Sequence, residues 1–398
     1  RVESAIATGS WIGERKGVTQ NIDKNNTFAI MSQLQRVTST LPGEQENLAA
    51  RTVHPTHYGR FCPVETPEGT EIGLRKNLAL LARVSTRTTM DHDDVIGVLN
   101  AVDMREDGDT DVFYNGRFVG ATDDSEGFVR AVRGERRRNN LPLQMSVRFD
   151  KFLNAVQISS EIGRVIRPVI VVEGGESALK GEHIELIKQG ALSWRNLFEK
   201  GILEYLDAAE EDDCYICMEE GDLTSEHTHL EIDKIDIFGA SVSLIPFGNH
   251  DPPARMVKGG SRAYRQGLGL YAANFPVRID TDVSLLHYAQ KPLVRSFTYD
   301  TLNVHPVGQN VVLAVIPYDG YNADDAVVLN KGSVDRGFGR SSRLRPYVSV
   351  ELNYAGGLRD EVCVPDKDVS GYRTEESYRF LEDDGIVYPE AEMNEGEV

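Results

Sequence analysis

The stretch VHPTHYGRFCPVETPEGTEIGLRKNLAL, residues 53–80, constrains the fold more than any other part of the chain. Pro55, Pro63 and Pro67 each fix φ and lack an N–H donor, so no regular helix or ladder strand runs through them. Gly59, Gly69 and Gly73 allow turns that a side chain would obstruct. The expected result is a rigid, irregular path that its neighbours must hold in place. After it comes an apolar segment with Arg75 and Lys76 near its start.

A chain of 398 residues exceeds what one core supports, so two to four domains are expected. Its net charge is −19, from 62 acidic and 43 basic residues. That balance by itself opposes nucleic-acid binding, because affinity for phosphates comes from Lys and Arg. Overall charge is nevertheless a poor guide to one local surface. The acids gather in loop-like clusters such as DHDD, REDGDTD and EEDD, which are most simply solvated. No apolar segment reaches the ~18 residues of a membrane helix. Four cysteines make no disulfide framework in so long a chain, which points to a reducing, cytoplasmic setting. The chain begins at Arg1 and stops at MNEGEV, as a piece of a longer protein would.

Local patterns predict a mixed α+β, multidomain chain. A helix is expected over 26–37 with Asn26 or Thr27 as its cap, followed by an exposed loop over TSTLPGEQENLAAR. DVIGVLNAV predicts a short helix, and Asn115-Gly116 a two-residue hairpin turn. EGFVRAVRGERRRNN predicts an amphipathic helix whose basic end complements its carbonyl terminus. GRVIRPVIVVEGG predicts a strand pair, or one strand broken at Pro168. GEHIELIKQG predicts another helix. From Phe238 onward the sequence suggests many strands among Gly and Pro.

Several groups could carry chemistry. Cys214-x-x-Cys217, with His227 and His229, has zinc-ligand atoms but no matching second pair. The apolar run CYICM favours core cysteines. His54, His57 and Cys62 contain the parts of a thiol hydrolase, yet a lone Cys between Phe61 and Pro63 is more often packing. DPPARMVKGGSRAYRQGLG sets Arg255, Lys258, Arg262 and Arg265 among glycines, which suits a sugar–phosphate strand or simply a solvated basic loop. Asp324 and Asp325 stand between two apolar runs. Neighbours on a strand face opposite ways, so they act together only if the backbone turns there, as DGYN upstream allows.

Taken together, these segments resemble the second-largest subunit of cellular DNA-directed RNA polymerase, most closely its archaeal form. The matching pieces occur in the family's order: ATGSW, KGVTQ, HPTHYGRFCPVETPEGTEIGLRKNLAL, EYLDA, HTHLEID, SLIPFGNHDP, LGLYAANFPVR, LLHYAQKPLV, GYNADDAVVLNKGSVDRG and DKDVSGYR. The resemblance implies a fork region over 1–84, an external 1 domain over 85–172 and an external 2 domain over 173–237. It further implies a hybrid-binding domain with part of a double-psi β-barrel over 238–345, and the start of the wall over 346–398.

It also implies roles. Asp324 and Asp325 would sit on a shielded bend and orient the Mg²⁺ that accompanies the nucleoside triphosphate, although Asp324 stands where the family usually has Glu. Gln20 and Arg51 would lie near the nucleic acid, and Glu68 near the elements that close over the nucleotide. Arg255 would contact substrate phosphates and Gln266 the RNA backbone. Between Arg255 and Gln266 this chain is one residue longer than the family pattern. The permanent Mg²⁺ would belong to the largest subunit. The family also carries apolar residues at CYICM, which argues against zinc at Cys214 and Cys217 and leaves the chain no metal of its own. Expected partners are the largest and smaller polymerase subunits, template DNA, the RNA–DNA hybrid and nucleoside triphosphates, with no membrane. The alternatives are a non-catalytic assembly or nucleic-acid-binding module and an independent metal-dependent hydrolase.

Overall fold

The structure, a computed structural model, describes residues 2–11, 15–17 and 19–398. Arg1 and Val18 of the KGVTQ motif lie outside the described residues. The chain divides into two compact units, Arg1–Arg278 with Val283–Arg343, and Ile279–Asp282 with Leu344–Val398. No helix among the described residues is long and apolar enough to cross a membrane.

In the first unit the expected early helix forms over Thr27–Leu34. The Asn26 side chain caps it by accepting from the Ala29 N–H, and its amide also donates to the Tyr264 and Gly267 carbonyls. One buried asparagine therefore ties this helix to a segment some 240 positions away. The helix ends sooner than its sequence suggested because Arg36–Thr38 turns into a strand paired with Arg75–Asn77. Phe28 then packs with Ala240, Leu244, Tyr299 and Val304 in a small core.

A four-stranded sheet follows, in the order Arg117–Thr122, Thr110–Tyr114, Ala155–Ser159, Ser146–Asp150. Asn115 and Gly116 both take positive φ, 50° and 77°, as the predicted hairpin turn requires. The predicted helices form over His92–Ala101 and Ser125–Arg137. Val95, Leu99, Phe128 and Val132 from these helices bury against Val112, Val156 and Ile158 of the sheet.

A second sheet is built around the nine-residue strand Val165–Glu173. The expected break at Pro168 does not occur. The Val171 N–H donates to the Ile202 carbonyl, so alternate residues bond to that side. The nitrogen of Pro168 therefore faces the other neighbour, which pairs only with Ile170 and Val171. No ladder bond is lost. The run CYICM is only partly a strand, Ile216–Cys217, with Tyr215 and Met218 exposed.

From Phe238 onward the expectation of many strands fails. Short helices take most of the regular structure, at Ala240–Ser243, Pro253–Met256, Phe297–Thr301 and Lys331–Asp335. Only Val283–Leu286 and Ser341–Leu344 are strands among the described residues. The apolar runs on either side of Asp324 and Asp325 form no ladder and lie exposed, with Val312 at 105% and Val315 at 88%. β-branched runs become strands only when an edge is present to receive their N–H and C=O groups. The described residues supply none here.

The second unit is mostly turns, with a short 3-10 segment at Glu375–Tyr378 and a ring contact between Tyr372 and Tyr378 at 5.1 Å.

Candidate nucleic-acid and nucleotide interface

The ETPEG turn presents its two glutamates differently. Glu65 is buried and accepts bonds from Ser32 Oγ at 3.0 Å and Asn77 Nδ2 at 2.9 Å. Burial pushes its carboxyl up, against the pull of Ser32 and of the cations Arg265 and Arg36. Glu65 thus joins the Thr27–Leu34 helix to the strand Arg75–Asn77. Glu68 is exposed and pairs with Arg262 at 2.8 Å.

Arg262 lies in the segment expected as a basic loop, which is instead helical. Pro253–Met256 leads directly into a π-helix over Val257–Tyr264. π geometry is rare and usually confined to a single turn. An extra residue within a helix can be absorbed by such a turn without shifting the elements on either side, as the one-residue excess that the resemblance implies between Arg255 and Gln266 would require. Gly260 makes the seat possible, since a Cβ there would come within 3.1 Å of the Val242 Cα. Arg255 and Gln266 flank the π segment and are both exposed. Gln20 is exposed as well, with a long 3.5 Å contact to the Gly17 carbonyl.

Arg51 is held by four backbone carbonyls. Its Nη1 donates to the Thr70 and Ile72 carbonyls, at 2.7 and 2.9 Å. Its Nη2 donates to the Gly43 and Gln45 carbonyls, at 2.6 and 3.1 Å. A guanidinium has five N–H groups, so these four bonds leave only Nε for another partner. Gly73 completes the clasp. It holds φ +73°, and a Cβ there would lie 2.2 Å from the Arg51 carbonyl oxygen.

The HPTH segment is a capped turn rather than a catalytic pair. The His57 Nδ1 accepts from the His54 N–H, and the His54 Nδ1 accepts from the Thr56 N–H. Burial pushes the Cys62 thiol up, which removes the thiolate that a nucleophile needs. Cys214 and Cys217 donate to different carbonyls, those of Glu210 and Glu219, and burial raises the Cys214 thiol to about 12.

Asp324 and Asp325 occupy the two central positions of a turn. Both take positive φ, 51° and 65°, and the Ala326 N–H donates to the Ala323 carbonyl at 3.0 Å. This is the pattern of a type I′ hairpin turn. Asp319 and Gly320 repeat it, with the Tyr321 N–H on the Tyr318 carbonyl. The backbone turn needed for the two acids to act together is therefore present. The expected shielding is not, because both carboxylates and their apolar flanks are exposed.

Sequence reasoning missed two buried ion networks. Arg60 and Arg167 share Glu211, and Arg167 also bonds Glu231. Arg136 joins Glu204 and Glu210, with His229 on Glu204 at 2.5 Å. The arginine-rich helix end is the available signal, and its charge complements the carbonyl terminus only in part, since Arg136 turns inward to Glu204 and Glu210.

Four profiles of RNA polymerase Rpb2 match the chain in order. Domain 3 matches residues 20–84, domain 4 residues 112–173, domain 5 residues 194–237 and domain 6 residues 241–398. The DNA-directed RNA polymerase subunit Rpo2 of Saccharolobus shibatae is 40% identical over 100% of this chain and 37% of its own length. The chain belongs to the Rpb2 family of RNA polymerase second subunits. The Rpo2 of Sulfolobus acidocaldarius is 38% identical over the whole chain and 37% of its own length. The RNA polymerase II subunit RPB2 of Encephalitozoon cuniculi is 32% identical over 97% of the chain and 36% of its own length. The stronger match is to the archaeal Rpo2 form. The chain spans little more than a third of the length of these relatives.

Proposed function

We propose that this chain forms one side of the active-site cleft of a DNA-directed RNA polymerase, a nucleotidyltransferase built from several subunits. The observation that carries the reading is the ordered match of four consecutive Rpb2 domains, with 40% identity to an Rpo2 over the full chain. In this reading the first part is the fork and the next two sheets are the external domains. The segment after Phe238 contributes to the hybrid-binding barrel, and the last part begins the wall. Partner subunits, template DNA and the RNA–DNA hybrid lie against it in the cytoplasm.

Exposure of the apolar runs beside Asp324 and Asp325 supports this. Runs apolar on both faces are stable only when both are covered, so this arm awaits strands from elsewhere in the enzyme. Covered in that way, the hairpin tip would be rigid and would bring its two carboxylates to the Mg²⁺–triphosphate substrate. No group of three or more His, Cys, Asp or Glu among the described residues could hold a metal ion. The pair therefore fits the orientation of a cation arriving with its nucleotide better than a resident site. Arg255, exposed at the start of the π segment, would bind substrate phosphate. Gln20 and Gln266 would line the nucleic-acid path. Arg51 would act indirectly, by fixing the ETPEG turn that carries Glu68.

Polymerase reconstituted with a subunit carrying Arg255→Ala tests the reading on an RNA–DNA scaffold. The KM for the incoming nucleotide is expected to rise about tenfold, equivalent to about 1.4 kcal/mol, with scaffold binding retained. Unchanged KM and unchanged turnover would remove this chain's cationic segment from the substrate site.

A further inference from the structure

We propose that Asn26 is a positioning residue for the nucleic-acid path: its side-chain amide sets the placement of Arg265 and Gln266, and through Gln266 that of the RNA strand. The inference deepens the polymerase reading and rests on it, because that reading puts Gln266 on the nucleic-acid path.

An asparagine amide offers a carbonyl oxygen and two N–H donors. At Asn26, which is only 1% exposed, both ends are used. The oxygen accepts from the Ala29 N–H at 2.7 Å and caps the Thr27–Leu34 helix. The nitrogen donates to the Tyr264 carbonyl at 2.8 Å and to the Gly267 carbonyl at 2.7 Å. Tyr264 closes the π-helix, and the last carbonyls of a helix lack a partner within it. The two acceptors bracket Arg265 and Gln266 in the chain, so one amide fixes the backbone on both sides of that pair. An Asp here would supply the cap without the donors, and a Ser the cap with a single donor.

The surroundings hold the same junction. The Thr27 N–H donates to the Leu270 carbonyl at 3.3 Å, and the Gly269 N–H to the Asn25 carbonyl at 3.1 Å. A Cβ at Gly269 would lie 3.1 Å from the Asn26 Cβ, so the segment passes directly against the cap. The Phe28 ring meets Tyr264 at 6.3 Å. Further along the helix, Ser32 Oγ donates to Glu65, and Asn77 Nδ2 donates to both Ser32 Oγ and Glu65. Gly239 leaves room for that carboxylate, since a Cβ there would stand 2.7 Å from Glu65 Oε2. The helix is therefore anchored to the ETPEG turn through Ser32 and to the segment bearing Gln266 through Asn26. Buried polar networks whose members are satisfied select one arrangement. The Gln266 side chain is itself exposed, so its direction comes from the backbone that Asn26 holds.

The test is single-nucleotide addition on an RNA–DNA scaffold by polymerase reconstituted with Asn26→Ser, Asn26→Asp, Gln266→Ala, or Asn26→Ser together with Gln266→Ala. Both Asn26 variants keep an oxygen for the cap and lose the paired donors. Because Gln266 meets RNA rather than the incoming nucleotide, the maximal rate is expected to fall at least about fivefold in each Asn26 variant, with the KM for nucleotide within about twofold of the parent. In the double variant, Asn26→Ser should slow addition by less than about twofold beyond Gln266→Ala alone, since both changes remove one interaction. A role confined to folding would multiply the two losses instead. Multiplied losses, the parent rate from either assembled Asn26 variant, a loss carried by KM, or failure of both Asn26 variants to assemble would each overturn the proposal. Gln266→Ala at the parent rate would overturn the placement of Gln266 on the nucleic-acid path, and this proposal with it.

Discussion

The Arg262 guanidinium lies 2.8 Å from the Glu68 carboxylate, joining the ETPEG turn to the far end of the π-helix. Both side chains are about half exposed, so the pair adds at most about 1 kcal/mol to stability. Its effect is positional. Arg262→Ala in reconstituted polymerase is expected to slow single-nucleotide addition several-fold while the melting temperature of the subunit moves by less than about 2 °C. Arg262→Lys should recover part of the rate. A loss of rate matched by a large fall in melting temperature would show that the arginine serves only folding.

Arg51 makes the opposite prediction. Its four bonds to backbone carbonyls hold the Gly43–Gln45 loop against the ETPEG turn. Arg51→Ala should destabilise the chain by about 2 kcal/mol in urea unfolding. Arg51→Lys should recover little, because an ammonium cannot reproduce the planar fork. Full stability in either variant would mean that the clasp is redundant.

The buried network around Glu204 gives a pH dependence. Burial alone would raise this carboxyl, but Arg136, His229 and Arg137 override it and hold it well below the usual carboxylate range. A depressed acid contributes stability at pH values above its unfolded pKa of about 4.3. That contribution is lost as pH falls through the lower folded value. Acid unfolding of the parent should therefore be steep below about pH 4. Glu204→Gln should flatten it and cost about 3–5 kcal/mol at pH 7, since it leaves Arg136 buried beside too little negative charge. An unchanged acid profile in that variant would remove Glu204 as the origin of the slope.

Local chemistry made much of the first unit legible in the sequence. Asn26 announced its helix, Asn115-Gly116 its hairpin and the spacing of Phe128, Val129 and Val132 a buried helix face. What escaped depended on distant partners. Nothing near Arg60 in the chain reveals that Glu211 will meet it, and Arg136 looks like a solvated helix end until Glu204 and Glu210 close over it. The π-helix was hidden for another reason. The two glycines at 259 and 260 suggest a loop, and only the close approach of Gly260 to Val242 explains why a glycine stands at that position. The segment around Asp324 was half legible. Its turn chemistry is local and is present, whereas burial of its flanks depends on strands that the described residues do not provide.

In the proposed reading, the turn bearing Asp324 and Asp325 faces the Mg²⁺–nucleotide substrate once the polymerase is assembled. Rapid-quench measurement of single-nucleotide addition by polymerase reconstituted with Asp325→Ala tests it most directly. Addition is expected to slow by at least about tenfold, equivalent to about 1.4 kcal/mol of barrier, and to be partly restored by excess Mg²⁺, with subunit assembly unchanged. Addition at the parent rate by a fully assembled variant would contradict it.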